Sequence, residues 1–322
     1  RRAAALAAES DRPEGASGIT LGPLDPSVGE SSMQYSFVSI DIDRDKRVAT
    51  LTVVGPQGTQ PSTPDEIIRA GDRFWPLRAF RELDDGLMRL RMNEPLIGTV
   101  MVTTTGSAAD VLAVDETLVK HQEHWLVREI VHFIKRTLKR MDLTSRTFFA
   151  LIEPGSCFAG TLFELALAAD RSYMLDDPER PNTIVLSGMN AGPLKMSNGL
   201  TRLQTRFLGR PELVEELLNE QAPFDPQAAL DAGLVSFAPD ELDWSDEVRM
   251  AVEGRAALSP DALTAMEANL RFAGPETMET KIFGRLTAWQ NWIFMRPNAV
   301  GEKGALTAYG TQSRPEFDFN RT

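Results

Sequence analysis

Apolar and polar positions change period along the chain. From Tyr35 they alternate through YSFVSIDID, cross a charged turn, DRDKR, and resume in VATLTVVG. Two β-branched runs around a polar turn predict a hairpin. Over 74–92, FWPLRAFRELDDGLMRLRM, the residues Leu77, Phe80, Leu83, Leu87 and Leu90 recur at helical spacing. GTVMVTTTG (98–106) predicts a buried strand ended by glycine, and 117–141 a long amphipathic helix. RTFFALIEP (146–154) and TIVLSG (183–188) predict two further strands. Short helices follow in TRLQTRFLG, PELVEELLNE and PQAALDAGLV, and roughly the last 80 residues read as mostly helical before a polar tail.

Strands alternating with helices predict an α/β fold with a largely parallel sheet. In such sheets ligands gather where strand ends meet helix starts. Two junctions qualify: TTTGSAAD (103–110) and EPGSCFAGTLFE (153–164). The second runs into LALAAD and carries one carboxylate, Glu164, in a helix that is apolar on every side. An unpartnered buried carboxylate is costly, so Glu164 is paired, neutral or catalytic. Its apolar neighbours raise its pKa and the helix start lowers it, which suits a general acid or base as well as a structural pair.

Composition narrows the function classes. With 34 basic and 46 acidic residues the net charge is −12, which argues against nucleic acid or an anionic membrane as main partner. The single cysteine, Cys157, excludes an internal disulfide and any multi-cysteine zinc site, and it fits a reducing, cytoplasmic setting. No apolar run reaches the roughly 18–20 residues that span a bilayer, and no signal peptide is visible. His121, His124 and His132 fall on one face of the predicted helix 117–141. Arg128 lies between them, so they read as a packed or interfacial face and no metal is expected. Cys157 reads as a small buried hydrophobe. Trp289, Trp292 and Phe294 read as packing or an interface, with a lid as the alternative.

The start is unusual. RRAAALAAESDRPEGASG begins without Met, favours a helix over 1–9, then meets Asp11, Pro13, Gly15 and Gly18. The expected organisation is the tail of an upstream domain and a linker (1–32), a core (33–240) and a helical C-terminal region (241–322), within a longer polypeptide.

From about residue 35 the chain resembles the crotonase (enoyl-CoA hydratase/isomerase) superfamily. VSIDIDRDKRVATLTVVGP resembles its opening hairpin, TTTGSAAD its first oxyanion-hole loop, AGTLFELALAAD its second loop and helix, and ALDAGLV (229–235) its later turn. The resemblance implies a spiral of ββα units and a site for a coenzyme A thioester, with coenzyme A as part of the substrate and no other cofactor. It places oxyanion-hole amides at Ala109 and at Gly160 or Thr161, and a catalytic carboxylate at Glu164. The segments EPGSCFAGT, SPDALTAMEANLRFAGPETMET and GRLTAWQNWIFMRPNAVGEKGALTAYG resemble, more narrowly, a two-half family of lyases that open the ring of an epoxidised benzoyl-CoA, add water and release formate. That likeness implies an upstream crotonase-like half as partner and a homo-oligomer. One position departs from the pattern: the second carboxylate of a hydratase aligns with Gly188, beside Ser187 and Asn190, which cannot act as a general base. A non-catalytic module that supports dimerisation or the upstream half is therefore the alternative reading.

Overall fold

A computed structural model describes residues 1–10, 15–220, 222–271, 274 and 276–320. The helix breakers Asp11 and Pro13, with Phe272, Ala273 and Pro275 of the lyase-like segments, lie outside the described residues.

Seven strands form one sheet in sequence order: β1 (Ser27–Val28), β2 (Ser32–Gln34), β3 (Val38–Asp43), β4 (Val48–Val54), β5 (Thr99–Thr105), β6 (Thr147–Ile152) and β7 (Arg171–Met174). The predicted hairpin is β3–β4, antiparallel from Val38 opposite Val53 to Asp43 opposite Val48. The sheet is mixed where a largely parallel one was expected. β1 to β4 pair antiparallel and β4 to β7 parallel. Short turns join the first four strands and permit only antiparallel neighbours; helical crossovers join the rest.

The crossovers build one layer. α1 (Arg2–Ala7) buries nothing. α2 (Pro64–Ala70) and α3 (Trp75–Asn93) lead to β5, α4 (Ala108–Lys120) and α5 (Trp125–Asp142) to β6, and α6 (Gly160–Ala168) to β7. The five apolar positions read at helical spacing in 74–92 are all buried on α3. α5 buries Leu126, Ile130, Ile134, Leu138 and Met141, and all six residues of β6 are buried.

Two expectations need correction. The helix over 117–141 is two helices, broken between His121 and His124. α4 packs on α6, while α5 packs on α2 and α3 as well as on α6. His121 ends α4 and His124 precedes α5, so the three histidines do not share a face. TIVLSG forms no strand: Ile184 bridges Phe224 and Val185 bridges Ala159 as isolated pairs, and Gly188–Asn190 is a short 3-10 turn.

Beyond β7 come α7 (Arg202–Arg206), α8 (Glu212–Asn219), α9 (Pro226–Asp231), α10 (Trp244–Ala256) and α11 (Pro260–Leu270). α12 (Met278–Thr280), a π-helical stretch over Lys281–Leu286, α13 (Thr287–Ile293), α14 (Pro297–Val300) and α15 (Ala305–Ala308) complete the helical C-terminal region. α10 covers Phe149, Leu151 and Tyr173 on the far face of the sheet. A cavity of about 820 Å³ separates it from β3–β5, lined by Val48, Thr50, Met101, Val248 and Val252 among others. Among the described residues no helix is long and apolar enough to cross a membrane.

Candidate functional site

α6 is the innermost helix. Its sequence GTLFELALA has no polar face, and eight of its nine residues are buried. It starts abruptly because Gly160 has φ +44°, a left-handed conformation that strains any residue with a side chain. A Cβ there would also run into the Asp115 carboxylate and lie 2.6 Å from the Ser187 hydroxyl. The preceding residue, Ala159, offers no side-chain cap.

The first turn of α6 meets α4 through one carboxylate. Asp115, fully buried, accepts from the Thr161 amide at 2.8 Å, the Thr161 hydroxyl at 2.5 Å and the Ser187 hydroxyl at 2.7 Å. Burial pushes its pKa up to about 6, those hydrogen bonds hold it down, and the charge of Glu164 adds to the rise. Ala109 lies six residues earlier in the exposed first turn of α4, which Ser107 caps by accepting from the Asp110 amide at 3.3 Å.

One turn along α6, Glu164 is 1% exposed and both its oxygens are engaged. Oε1 accepts from the Asn190 amide group at 2.8 Å and Oε2 from Arg202 at 2.9 Å. Arg202 also holds Asp142 of α5 at 2.6 Å. Burial raises the pKa of Glu164 and of Asp142, against the pull of Arg202. Burial alone would weaken the charge on Arg202, but the two carboxylates more than offset it and raise its pKa. Asn190 makes a second contact, to the Gly160 carbonyl at 3.0 Å.

The loop 183–190 thus serves both buried carboxylates. Ser187 binds Asp115 and Asn190 binds Glu164, while the Asn190 side-chain oxygen Oδ1 accepts from the Ser187 amide at 2.9 Å. Gly188 faces α4, and a Cβ there would sit 3.2 Å from Val119. Cys157 is buried beside Gly55 and Gly106, its amide donating to the Thr104 hydroxyl at 2.9 Å; burial raises its thiol pKa.

Three members of this cluster escaped the sequence reading: Asp115, Asp142 and Arg202. A signal existed for the first. In VLAVDETL, Asp115 shares the helical stripe of Val111, Val114 and Leu118, all buried. Asp142 and Arg202 lie 60 residues apart and only folding pairs them.

No family model matches the chain. The fold superposes on an enoyl-CoA hydratase of Geobacillus kaustophilus with a TM-score of 0.65, covering 89% of this chain and 98% of that one at 16% identity. An enoyl-CoA hydratase of Bacillus anthracis gives 0.60 at 15% identity, covering 88% of this chain and 100% of that one. This chain has the crotonase fold. Within it, the two junctions read from the sequence lie at the starts of α4 and α6, and Asp115, further along α4, bonds to the start of α6. Over 321 residues, 99% of its length, this crotonase-fold chain is 51% identical to benzoyl-CoA-dihydrodiol lyase of Aromatoleum evansii. It spans 58% of the length of that lyase.

Proposed function

We propose that this chain is part of a ring-opening coenzyme A thioester lyase. The reaction converts 2,3-epoxy-2,3-dihydrobenzoyl-CoA and water to 3,4-didehydroadipyl-CoA semialdehyde and formate, a step of aerobic benzoate degradation. The observation that carries this reading is the 51% identity to benzoyl-CoA-dihydrodiol lyase along nearly the whole chain. The test is formate release from the CoA epoxide by the full-length protein; its absence would sink the assignment.

Within that enzyme the segment acts as support for an active site in an upstream crotonase-like half. Two observations favour this over catalysis by Glu164. Both oxygens of Glu164 are committed to Asn190 and Arg202. The position of the second carboxylate is Gly188, packed on Val119. The group that could gather a water between two acids is therefore lacking in this segment. Of the expected oxyanion-hole amides, Gly160 donates to the Val185 carbonyl at 2.8 Å and Thr161 to Asp115 at 2.8 Å, which favours a structural role for that turn.

The C-terminal helices support a homo-oligomer. Phe283 is 73% exposed, Met295 81% and Tyr309 87%, apolar side chains that a second copy could cover. Trp289 and Trp292 meet edge to face at 5.3 Å and are half-buried. The one cysteine, buried and unpaired, agrees with a cytoplasmic location.

A further inference from the structure

The start of α6 offers amides to an anion, as any helix start does. What is particular here is that an anion of the chain already occupies it. Thr161 supplies both its amide and its hydroxyl to Asp115, and Ser187 supplies a third donor from the loop that follows β7. Three hydrogen bonds from Thr161 and Ser187 hold the carboxylate, and the like charge of Glu164 opposes its ionisation. The arrangement also determines Gly160, because a side chain there would displace the Asp115 oxygen.

We propose that Asp115 is a resident anion in the oxyanion position of this segment, and that it closes the pocket to acyl-CoA. The inference rests on the supporting role argued above and deepens it. A thioester carbonyl needs the Thr161 amide, but the Asp115 oxygen at 2.8 Å already uses that hydrogen. An enolate formed beside it would face a carboxylate, which repels developing negative charge. Val119, against Gly188, comes from the same helix as Asp115. α4 therefore supplies both the carboxylate at Thr161 and the side chain that lies against Gly188.

The amide of Thr161 reports on this directly. In the wild-type chain, selectively labelled with ¹⁵N-threonine, benzoyl-CoA should leave the Thr161 amide resonance unmoved. In Asp115→Ala, acetate should move that resonance saturably and raise the melting temperature, standing in for the lost carboxylate. Benzoyl-CoA should bind that variant at least about tenfold tighter than wild type, a difference of about 1.4 kcal/mol. Movement of the wild-type Thr161 resonance by benzoyl-CoA would overturn the proposal. So would a folded Asp115→Ala whose Thr161 amide ignores acetate, or one that binds benzoyl-CoA no better than wild type. If Asp115→Ala does not fold, Asp115→Asn decides. The Thr161 resonance should shift with pH between 5 and 7 in wild type and stay flat in that variant, and a flat wild-type profile refutes the contact. Formate release by the full-length wild-type protein judges the lyase reading separately, since its absence leaves the Thr161 measurements untouched.

Discussion

Arg202 donates to Glu164 across 2.9 Å in a pair shut off from solvent, with side-chain exposures of 2% and 1%. The same guanidinium holds Asp142 at 2.6 Å, so one cation joins α5, α6 and α7. Such a group is expensive to break. Removing a partner strands charge in a low dielectric, whereas replacing the whole set by apolar groups need not cost anything.

Arg202→Met leaves Glu164 and Asp142 buried without a counter-charge. It should cost about 3–5 kcal/mol of stability, read from the midpoint of urea unfolding. Arg202→Lys should recover part of this, because an ammonium cannot fork toward both carboxylates. A loss under about 1 kcal/mol in the Met variant would contradict the buried network.

Glu164→Gln separates structure from chemistry. In the full-length protein its formate release should stay within about twofold of wild type. Its stability should fall by about 1–3 kcal/mol through the weakened bond to Arg202. A hundredfold loss of turnover with stability unchanged would instead make Glu164 a catalytic group.

Asp115 makes stability depend on pH in a definite direction. Its folded pKa, about 6, lies above the ordinary value of 3.8, so the folded state holds the proton more tightly than the unfolded chain. Its contribution is fully present below the ordinary value and is lost as pH rises through about 6. The stability of wild type relative to Asp115→Asn should therefore decline over that window. About two units at about 1.4 kcal/mol each give a change on the order of 3 kcal/mol. Urea titrations of both proteins at pH 4, 5, 6 and 7 measure it; a flat difference, or one rising with pH, would contradict the burial of this group.

Gly160→Ala should destabilise the chain by about 2 kcal/mol or more. The left-handed backbone alone costs roughly 1–2 kcal/mol, and the displaced Asp115 carboxylate adds to it. Thermal unfolding of the variant beside Gly192→Ala, whose added methyl meets nothing within 4 Å, supplies the comparison.

Phe283→Asp with Met295→Asp tests the C-terminal surface. Both side chains face solvent in the single chain, so the double variant should leave monomer stability within about 0.5 kcal/mol. Sedimentation should show a smaller assembly than wild type. Equal assembly sizes would remove this surface from the interface.

Much of the fold was legible along the chain. The period-2 runs at 38–43 and 48–54 and the 3.6-period run at 75–93 became β3, β4 and α3, because local alternation is the same signal that decides which face is buried. The failures were of another kind. The break at His121–His124 contains no glycine or proline, and beyond it α5 reaches α2 and α3 as well as the α6 that α4 touches. TIVLSG has strand composition, yet its backbone goes to Ala159 and Phe224 singly, and its Ser187 side chain turns to Asp115.

By itself the sequence determined the order of elements, the glycine-bounded start of α6 and the presence of a carboxylate within that apolar helix. These are matters of neighbours a few residues apart, where spacing and backbone freedom decide. Only the tertiary structure decided what the carboxylates do. Arg202 comes to Glu164 from 38 residues away and to Asp142 from 60, and Asp115 reaches Thr161 from 46. The cost of burying charge depends on what folding places within hydrogen-bond distance, and that has no trace in a linear pattern.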